Sequence, residues 1–257
     1  MTSEPYPGTQ AVRRAVSILK AFTDEKPEWG LTELARAVKL NKTTAYRLLC
    51  ALEGEGFIAR NPQTEAYRLG PEAIALGARA QRSNDLRTAS HTELEWLAEV
   101  TEETATLEVF ADGQMLILDE ALGPHVMGNT QSIGTRWPAH ATSTGKVVLA
   151  HLPEDELKTA LRAGLTRLNS NTIASQEALR RELKQVKEQG HALTLEELEV
   201  GLIAIGAPVR NHEGAVVGAV SVGGPSLRLT EARRPDVARQ VMKAAARISE
   251  RLGYREK

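Results

Sequence analysis

The 257-residue sequence predicts an α+β protein in two parts, an N-terminal winged helix-turn-helix and a C-terminal antiparallel sheet flanked by helices. Three observations carry that prediction. Two short amphipathic helices meet at a tight turn within residues 31–56, and a hairpin pattern follows at 57–69. From residue 84 onward, long helical periods alternate with apolar runs of strand character. Two of those runs are joined by the turn residues Asn211-His212-Glu213-Gly214, which makes them an antiparallel pair.

Residues 1–9 contain Pro5, Pro7 and Gly8 and are expected to form a loose tail. Residues 10–23 then predict a helix with Val12, Ala15, Val16, Leu19 and Phe22 on one side and Arg13, Arg14, Ser17 and Lys20 on the other. Leu31, Leu34, Ala35 and Val38 recur at i, i+3, i+4 and i+7, so they predict a second helix, with Thr32 at its N-cap and Glu33 in its first turn. Asn41 is placed to cap a third, whose apolar stripe is Ala45, Leu48, Leu49 and Leu52. The rest of that helix's N-terminal surface is Lys42, Thr43, Thr44, Tyr46 and Arg47. Such side chains can donate to phosphates and base edges, and a recognition helix enters the major groove by its N-terminal residues. The plain alternative is a solvated face on an ordinary helical hairpin. Gly54 and Gly56 end this helix, and 57–60 and 65–69 pair across Asn61-Pro62-Gln63-Thr64 as a wing. The winged domain is therefore expected over 10–70.

Gly70-Pro71 breaks the chain, and Pro71 suits the first position of a linker helix over 71–83. Its Ala73, Ile74, Leu76, Gly77 and Ala80 are expected to meet a second copy, or alternatively their own domain. Over 84–257 the pattern predicts helices at 84–101, 143–151, 154–163 and 175–189, and a last one capped by Thr230 and running to Leu252. Strands are predicted near 104–110, 114–120, 191–195, 203–210 and 214–222.

Composition fits a globular chain with two cores: 42% hydrophobic, 25% charged, net charge −1. Residues 1–70 hold ten Lys and Arg against eight Asp and Glu, a net of +2, against −3 in the other 187. Bulk charge thus carries no case for nucleic acid. Local placement does, through Arg13, Arg14, Lys20, Lys42, Arg47, Arg60 and Arg68, where phosphate neutralisation gives salt-dependent affinity. The single Cys50 excludes an intrachain disulfide and a cysteine-rich zinc site, and is expected to pack as a small side chain. No apolar run reaches the roughly 18 residues of a membrane span, and the N-terminus lacks a signal-peptide core, so the cytoplasm is the expected location.

These blocks together resemble the IclR-type bacterial transcriptional regulators, named for the isocitrate lyase regulator. The likeness spans nearly the whole chain. It rests on AVRRAVSILKAF (11–22), LTELARAVKLNKTTAYRLLCALEGEGFI (31–58) and YRLG (67–70) in the first half. In the second half it rests on HATSTGKVVLA (140–150), EELEVGLIAIGAPV (196–209) and GAVVGAVSVGGPSLRLT (214–230). The resemblance implies a DNA-binding homodimer or tetramer on a double-stranded operator, with a GAF-like domain that binds a small-molecule effector and no cofactor.

Thr142-Ser143-Thr144-Gly145-Lys146 puts hydroxyls and a glycine at a helix start, where free N–H groups and the helix dipole favour an anion such as a carboxylate. Simple helix capping explains the same residues. Pocket positions of the family fall here on Val126, Asn129, Trp137, Ser143, Thr144, Gly145, Thr194, Ala204, Ser221 and Gly223. Relatives that bind small polar acids carry an acidic residue, a cysteine and a serine where this chain has Thr194, Ala204 and Gly223, and an aliphatic side chain in place of Trp137. A less polar or aromatic acid is the expected effector. Lys146 is read as structural.

An enzyme is not expected. Ser143-x-x-Lys146 matches an acyl-serine pattern, but its Ser-Asp-Asn and Lys-Thr-Gly companions are missing. As a phosphate loop it has His140 for glycine and Val147 for Ser or Thr. His91-x-Glu93 lacks the cysteines of a deaminase, and the histidines at 91, 125, 140, 151, 191 and 212 show no paired ligand spacing. A ligand sensor acting through a protein partner is the remaining alternative.

Overall fold

The computed structural model describes residues 9–125 and 133–255. The chain divides into two compact units, Met1–Ser83 and Asn84–Lys257.

In the first unit, helices α1 (Gln10–Leu19), α2 (Leu31–Ala37) and α3 (Lys42–Gly54) precede a hairpin of β1 (Ile58–Arg60) and β2 (Tyr67–Leu69). The hairpin is antiparallel, with Ile58 opposite Leu69. Ile18, Leu34, Leu49, Ile58 and Tyr67 form the centre of the core. Burying an aliphatic side chain of that size stabilises by about 1.5–3 kcal/mol, so these few contacts decide whether so small a unit folds. Trp29 adds a further rung: its N–H donates to the Tyr67 carbonyl at 2.9 Å, Tyr67 N–H donates back at 2.8 Å, and its indole donates to the Ala21 carbonyl at 2.9 Å.

Two expectations change here. Helix α1 stops at Leu19, and its buried position is Ile18, while Val12 and Val16 are 65% and 43% exposed. Of the apolar stripe read from the sequence, Leu19 and Phe22 pack against the core, while Val12 and Val16 are turned away from it. Helix α2 starts from Gly30, not Thr32, because the Trp29 rung keeps the chain extended up to Gly30. Asn41 does cap α3, its side chain accepting from Thr44 N–H at 2.7 Å.

Helix α4 (Pro71–Arg82) follows at once, with proline in its first turn and no buried residue. Its start lies against the end of α3. Gly70 N–H donates to the Phe57 carbonyl at 2.7 Å, and Glu72 N–H donates to that of Gly56 at 3.1 Å. A Cβ on Gly70 would lie 2.2 Å from the Gly56 oxygen, so this crossing admits only glycine.

The second unit opens with α5 (Asp85–Thr101), β3 (Thr104–Ala111) and β4 (Gln114–Ala121). There follow β5 (Arg136–Pro138), α6 (Ser143–His151), α7 (Glu154–Ala160), α8 (Gln176–Gln189), β6 (Ala192–Leu195), β7 (Leu202–Arg210), β8 (Val216–Pro225) and α9 (Arg234–Arg251). The strands make one antiparallel sheet in the order β5-β4-β3-β8-β7-β6. One face packs on α5 and α9 through Leu94, Leu97, Leu107, Val220, Val241 and Ile248. The other packs on α6, α7 and α8 through Met115, Val147, Leu149, Leu157, Leu183 and Ala219. Buried ion pairs tie the first face: Arg247 and Arg251 each approach Glu93 to 2.6 Å, and Arg228 holds Glu103 at 2.6 Å.

The last helix begins at Arg234 instead of Thr230. Residues 230–233 form a turn in which the Thr230 carbonyl, not its side chain, accepts from Arg233 and Arg234 N–H. Strand β5 and the 3₁₀ turn at 139–141 were not anticipated. Three residues are too few for a visible alternation.

Candidate DNA-reading surface and effector cavity

On α3, Ala45 and Leu49 are buried against the core, which turns Lys42, Thr43, Tyr46 and Arg47 outward and leaves Thr44 half-buried. Cys50 is exposed on the same helix, contrary to the expected packing. One turn before it, the Tyr46 phenol is pushed above its usual range, first by its hydrogen bond with the Cys50 thiol. Arg13 is exposed and Arg14 half-buried on α1. Arg60, at the end of β1, is not a free cation: its guanidinium pairs with Glu65 across the wing and lies 5.7 Å from the Tyr67 ring centre. Lys42 and Arg47 form no salt bridge among the described residues. The unit thus presents a compact polar face at the N-terminal half of α3, with the wing's cation held in place by its own hairpin.

In the second unit, polar groups converge on a small, closed cavity of about 20 Å³. Its floor is the sheet, through Glu108 of β3, Ser221 of β8, Ala204 and Leu202 of β7 and Thr194 of β6. Trp137 of β5, Thr142, Ser143 and Thr144 at the start of α6, and Leu198 from the β6–β7 hairpin complete it. A larger groove of about 600 Å³, lined by Arg210, Met242 and Tyr254 among others, is open to solvent.

Helix α6 begins as the hydroxyl pattern suggested, but with a different division of labour. Thr142 is the N-cap and accepts the Gly145 N–H at 3.1 Å. The Gly145 amide is therefore already used, and the glycine is needed for space: a Cβ would lie 2.1 Å from the Ala139 oxygen. Its assignment as an effector contact is corrected to a packing role. Ser143 and Thr144 do face the cavity. Gly223 is absent from the lining and serves as a backbone rung between Thr104 and Ala204. Val126 and Asn129 lie outside the described residues.

The centre of the cavity is a group that sequence reasoning missed. Glu108 is 4% exposed. Thr144 donates to its Oε2 at 2.7 Å, and Thr106 donates to its Oε1 at 3.0 Å. Thr106 Oγ1 also lies 2.8 Å from Ser221 Oγ. With the Thr106 hydrogen given to Glu108, Ser221 is the donor in that pair. Burial pushes the Glu108 carboxyl above the usual carboxylate range, and the two hydroxyls pull it only partly back. The available signal was strand alternation, since Thr106 and Glu108 share a face two residues apart. Thr194 Oγ1 donates to the Ala204 carbonyl at 3.3 Å. The Trp137 indole Nε1 is buried and has no hydrogen-bond partner among the described residues.

Lys146 is fully buried, its ammonium 2.5 Å from Glu197 and 3.3 Å from Glu182. It ties α6 to the β6–β7 hairpin and to α8. An ammonium held between two carboxylates is no base for Ser143, so the Ser-x-x-Lys spacing has no acyl-transfer geometry behind it. His140 is buried, with Nε2 2.9 Å from the Thr166 carbonyl, and anchors the turn before α6. Among the described residues there is no group of three or more His, Cys, Asp or Glu placed to hold a metal, and no helix long and apolar enough to cross a membrane.

Comparison with known proteins matches residues 11–62 to the IclR helix-turn-helix domain and 78–250 to the bacterial transcriptional regulator IclR C-terminal domain. The HTH-type transcriptional regulator XynR of Escherichia coli K12 is 34% identical over 96% of this chain and 99% of its own length. An IclR transcriptional regulator from Alicyclobacillus acidocaldarius superposes with a TM-score of 0.85 at 30% identity, over 95% of this chain and 98% of the other. An IclR homolog from Microbacterium hydrocarbonoxydans, complexed with 4-hydroxybenzoate, gives a TM-score of 0.81 at 26% identity, over 94% and 98%.

Proposed function

This chain belongs to the IclR family of bacterial transcriptional regulators, and from that premise we propose a one-component switch in which the winged unit binds a pseudopalindromic operator and a small organic acid bound in the second unit sets the affinity. The family's named members are regulators and not enzymes, in keeping with a site that binds and does not turn over. The observation that carries the effector half is the convergence on one cavity of Ser143, Thr144 and a Trp137 indole without a partner among the described residues, with Leu198 and Leu202. The cavity as it stands, about 20 Å³, holds no more than a water molecule, so a ring enters only when its walls of indole and leucine part; a few placed polar groups then fix its orientation. The relative that holds 4-hydroxybenzoate supports the same class for this chain.

The DNA half rests on Lys42, Thr43, Thr44, Tyr46 and Arg47, with Arg13, Arg14 and Arg60 as flanking phosphate contacts. Arg60 reaches a phosphate only by exchanging its pairing with Glu65. A second copy supplies the second half-site. Helix α4 leaves Ile74 76% and Leu76 50% exposed, apolar surface that a dimer covers. Such a regulator acts where bacterial DNA is read, in the cytoplasm. The effector must prefer one arrangement of the dimer or tetramer, because equal affinity for both shifts neither.

Fluorescence anisotropy of the purified protein on DNA upstream of its own gene, against unrelated DNA at two salt concentrations, tests the reading. Selective binding that weakens with salt is expected. Arg47→Ala should cost on the order of 1–3 kcal/mol of operator affinity. Equal affinity of wild type and Arg47→Ala would reject that contact.

A further inference from the structure

Helix α6 begins beside a carboxyl group that the protein itself supplies. Glu108 reaches across from β3 and takes the Thr144 hydroxyl at 2.7 Å, at the helix start where an effector carboxylate is expected to dock. Its other oxygen is taken by Thr106, which Ser221 backs in turn. The charged groups of the surrounding elements are engaged elsewhere. Lys146 of α6 is held by Glu197 of the hairpin and Glu182 of α8, Arg136 of β5 donates to the Ala111 carbonyl, and His140 is bound to the Thr166 carbonyl. Asp119 of β4 is engaged by Arg87 and His91 of α5. Glu108 is therefore a buried carboxyl with hydroxyl donors and, among the described residues, no cation against it.

Two carboxylates at one buried hydroxyl turn repel strongly, and such pairs in proteins persist by holding one proton between them. Building on the effector reading above, we propose that Glu108 sets the specificity of this site by making carboxylate recognition proton-coupled: an acid effector is held at the start of α6 through one proton shared with the Glu108 carboxyl. If Glu108 is ionised beforehand, binding takes one proton from solvent; if it is protonated, binding takes none and the effector accepts its hydrogen. Either way the affinity for an acid falls as pH rises through the Glu108 midpoint. A neutral ligand of the same shape carries no such dependence.

The ligand-free test is an infrared pH titration, read as the difference between wild type and Glu108→Gln. A protonated-carboxyl band that disappears with a midpoint above the ordinary glutamate range supports the proposal and fixes the pH above which acid binding should weaken. The binding test is calorimetry with 4-hydroxybenzoate, 4-hydroxybenzamide and saturating acetate from about pH 5 to about pH 8. For wild type, affinity for the acids should fall by up to about tenfold per pH unit above the midpoint, while that for the amide stays level. In Glu108→Gln the acids should lose their pH dependence. Wild-type acid binding that stays level above the midpoint found by infrared overturns the proposal without recourse to any variant. Acetate binding with the expected slope while both aromatic probes fail would sink the aromatic effector and leave the shared proton standing. Failure of every acid while the amide binds would overturn the shared proton.

Discussion

Glu108 shows how one residue can carry a pH dependence that net composition hides. Its folded-state carboxyl titrates above the ordinary value of 4.5 because burial disfavours the anion, so the folded protein holds this proton more tightly than the unfolded chain does. Its favourable contribution is complete below the unfolded value and is lost as pH rises from there to the folded midpoint. Urea unfolding of wild type and Glu108→Gln across that window should show wild type losing ground as pH rises, with a slope no steeper than about 1.4 kcal/mol per pH unit. Lys146 is the opposite case, a buried cation whose partners are in place. Lys146→Met removes the ammonium and leaves Glu197 buried without it, so a loss of about 3–5 kcal/mol is expected in the same measurement. Adding Glu197→Gln should recover part of that loss. Spacing alone left both roles incomplete. Lys146 sits in a motif that invites catalytic readings, and Glu108 in a strand where a lone glutamate resembles a solvated position. Each depends on a partner 36 or more residues away, Thr144 for Glu108 and Glu182 and Glu197 for Lys146.

At the scale of elements, local signals succeeded where the causes were local. Asn41 caps α3 because its own side chain reaches Thr44 N–H. Asn41→Ala should therefore cost about 1 kcal/mol, read as a lower thermal midpoint for the winged unit by circular dichroism. Pro71 opens α4, and the runs around the 211–214 turn pair as predicted. Failures came where another segment overrode the local pattern. Thr32 looked like a cap, yet the Trp29 rung to Tyr67, nearly forty residues on, decides where α2 begins. The Val12 and Val16 stripe of α1 reads as a core face because periodicity reports that a face is apolar, not what covers it. Gly145 looked like an anion-binding glycine and is instead the only residue that fits against Ala139. The cavity was legible in outline, from Trp137, Ser143, Thr144, Thr194, Ala204 and Ser221, while its central group was not.

For the whole molecule, the proposed control of DNA affinity by an effector requires states that the effector distinguishes. Helix α4 is where that distinction should pass to the winged unit. Cysteines placed for a cross-link between the α4 helices of two copies, at Ile74 for example, should lock one arrangement. Anisotropy on operator DNA should then show an effector response that is lost under oxidation and restored by reductant. A response unchanged by the cross-link would place the switch elsewhere.

The meeting of Gly56 and Gly70 has a mechanical side. Two amide hydrogen bonds and a contact too close for any Cβ join the first turn of α4 to the turn that follows α3. Helix α4 is thus a rod about 18 Å long, held at one end by backbone contacts. A tilt of about 10° at that clamp sweeps the free end through roughly 3 Å. On the proposed reading, a displacement of that size at the free end, imposed from outside, should be passed to the turn after α3. The two glycines convert a short helix into a stiff lever, and the loss of stiffness at that joint, more than any loss of contact with DNA, is what would leave such a regulator bound and unresponsive.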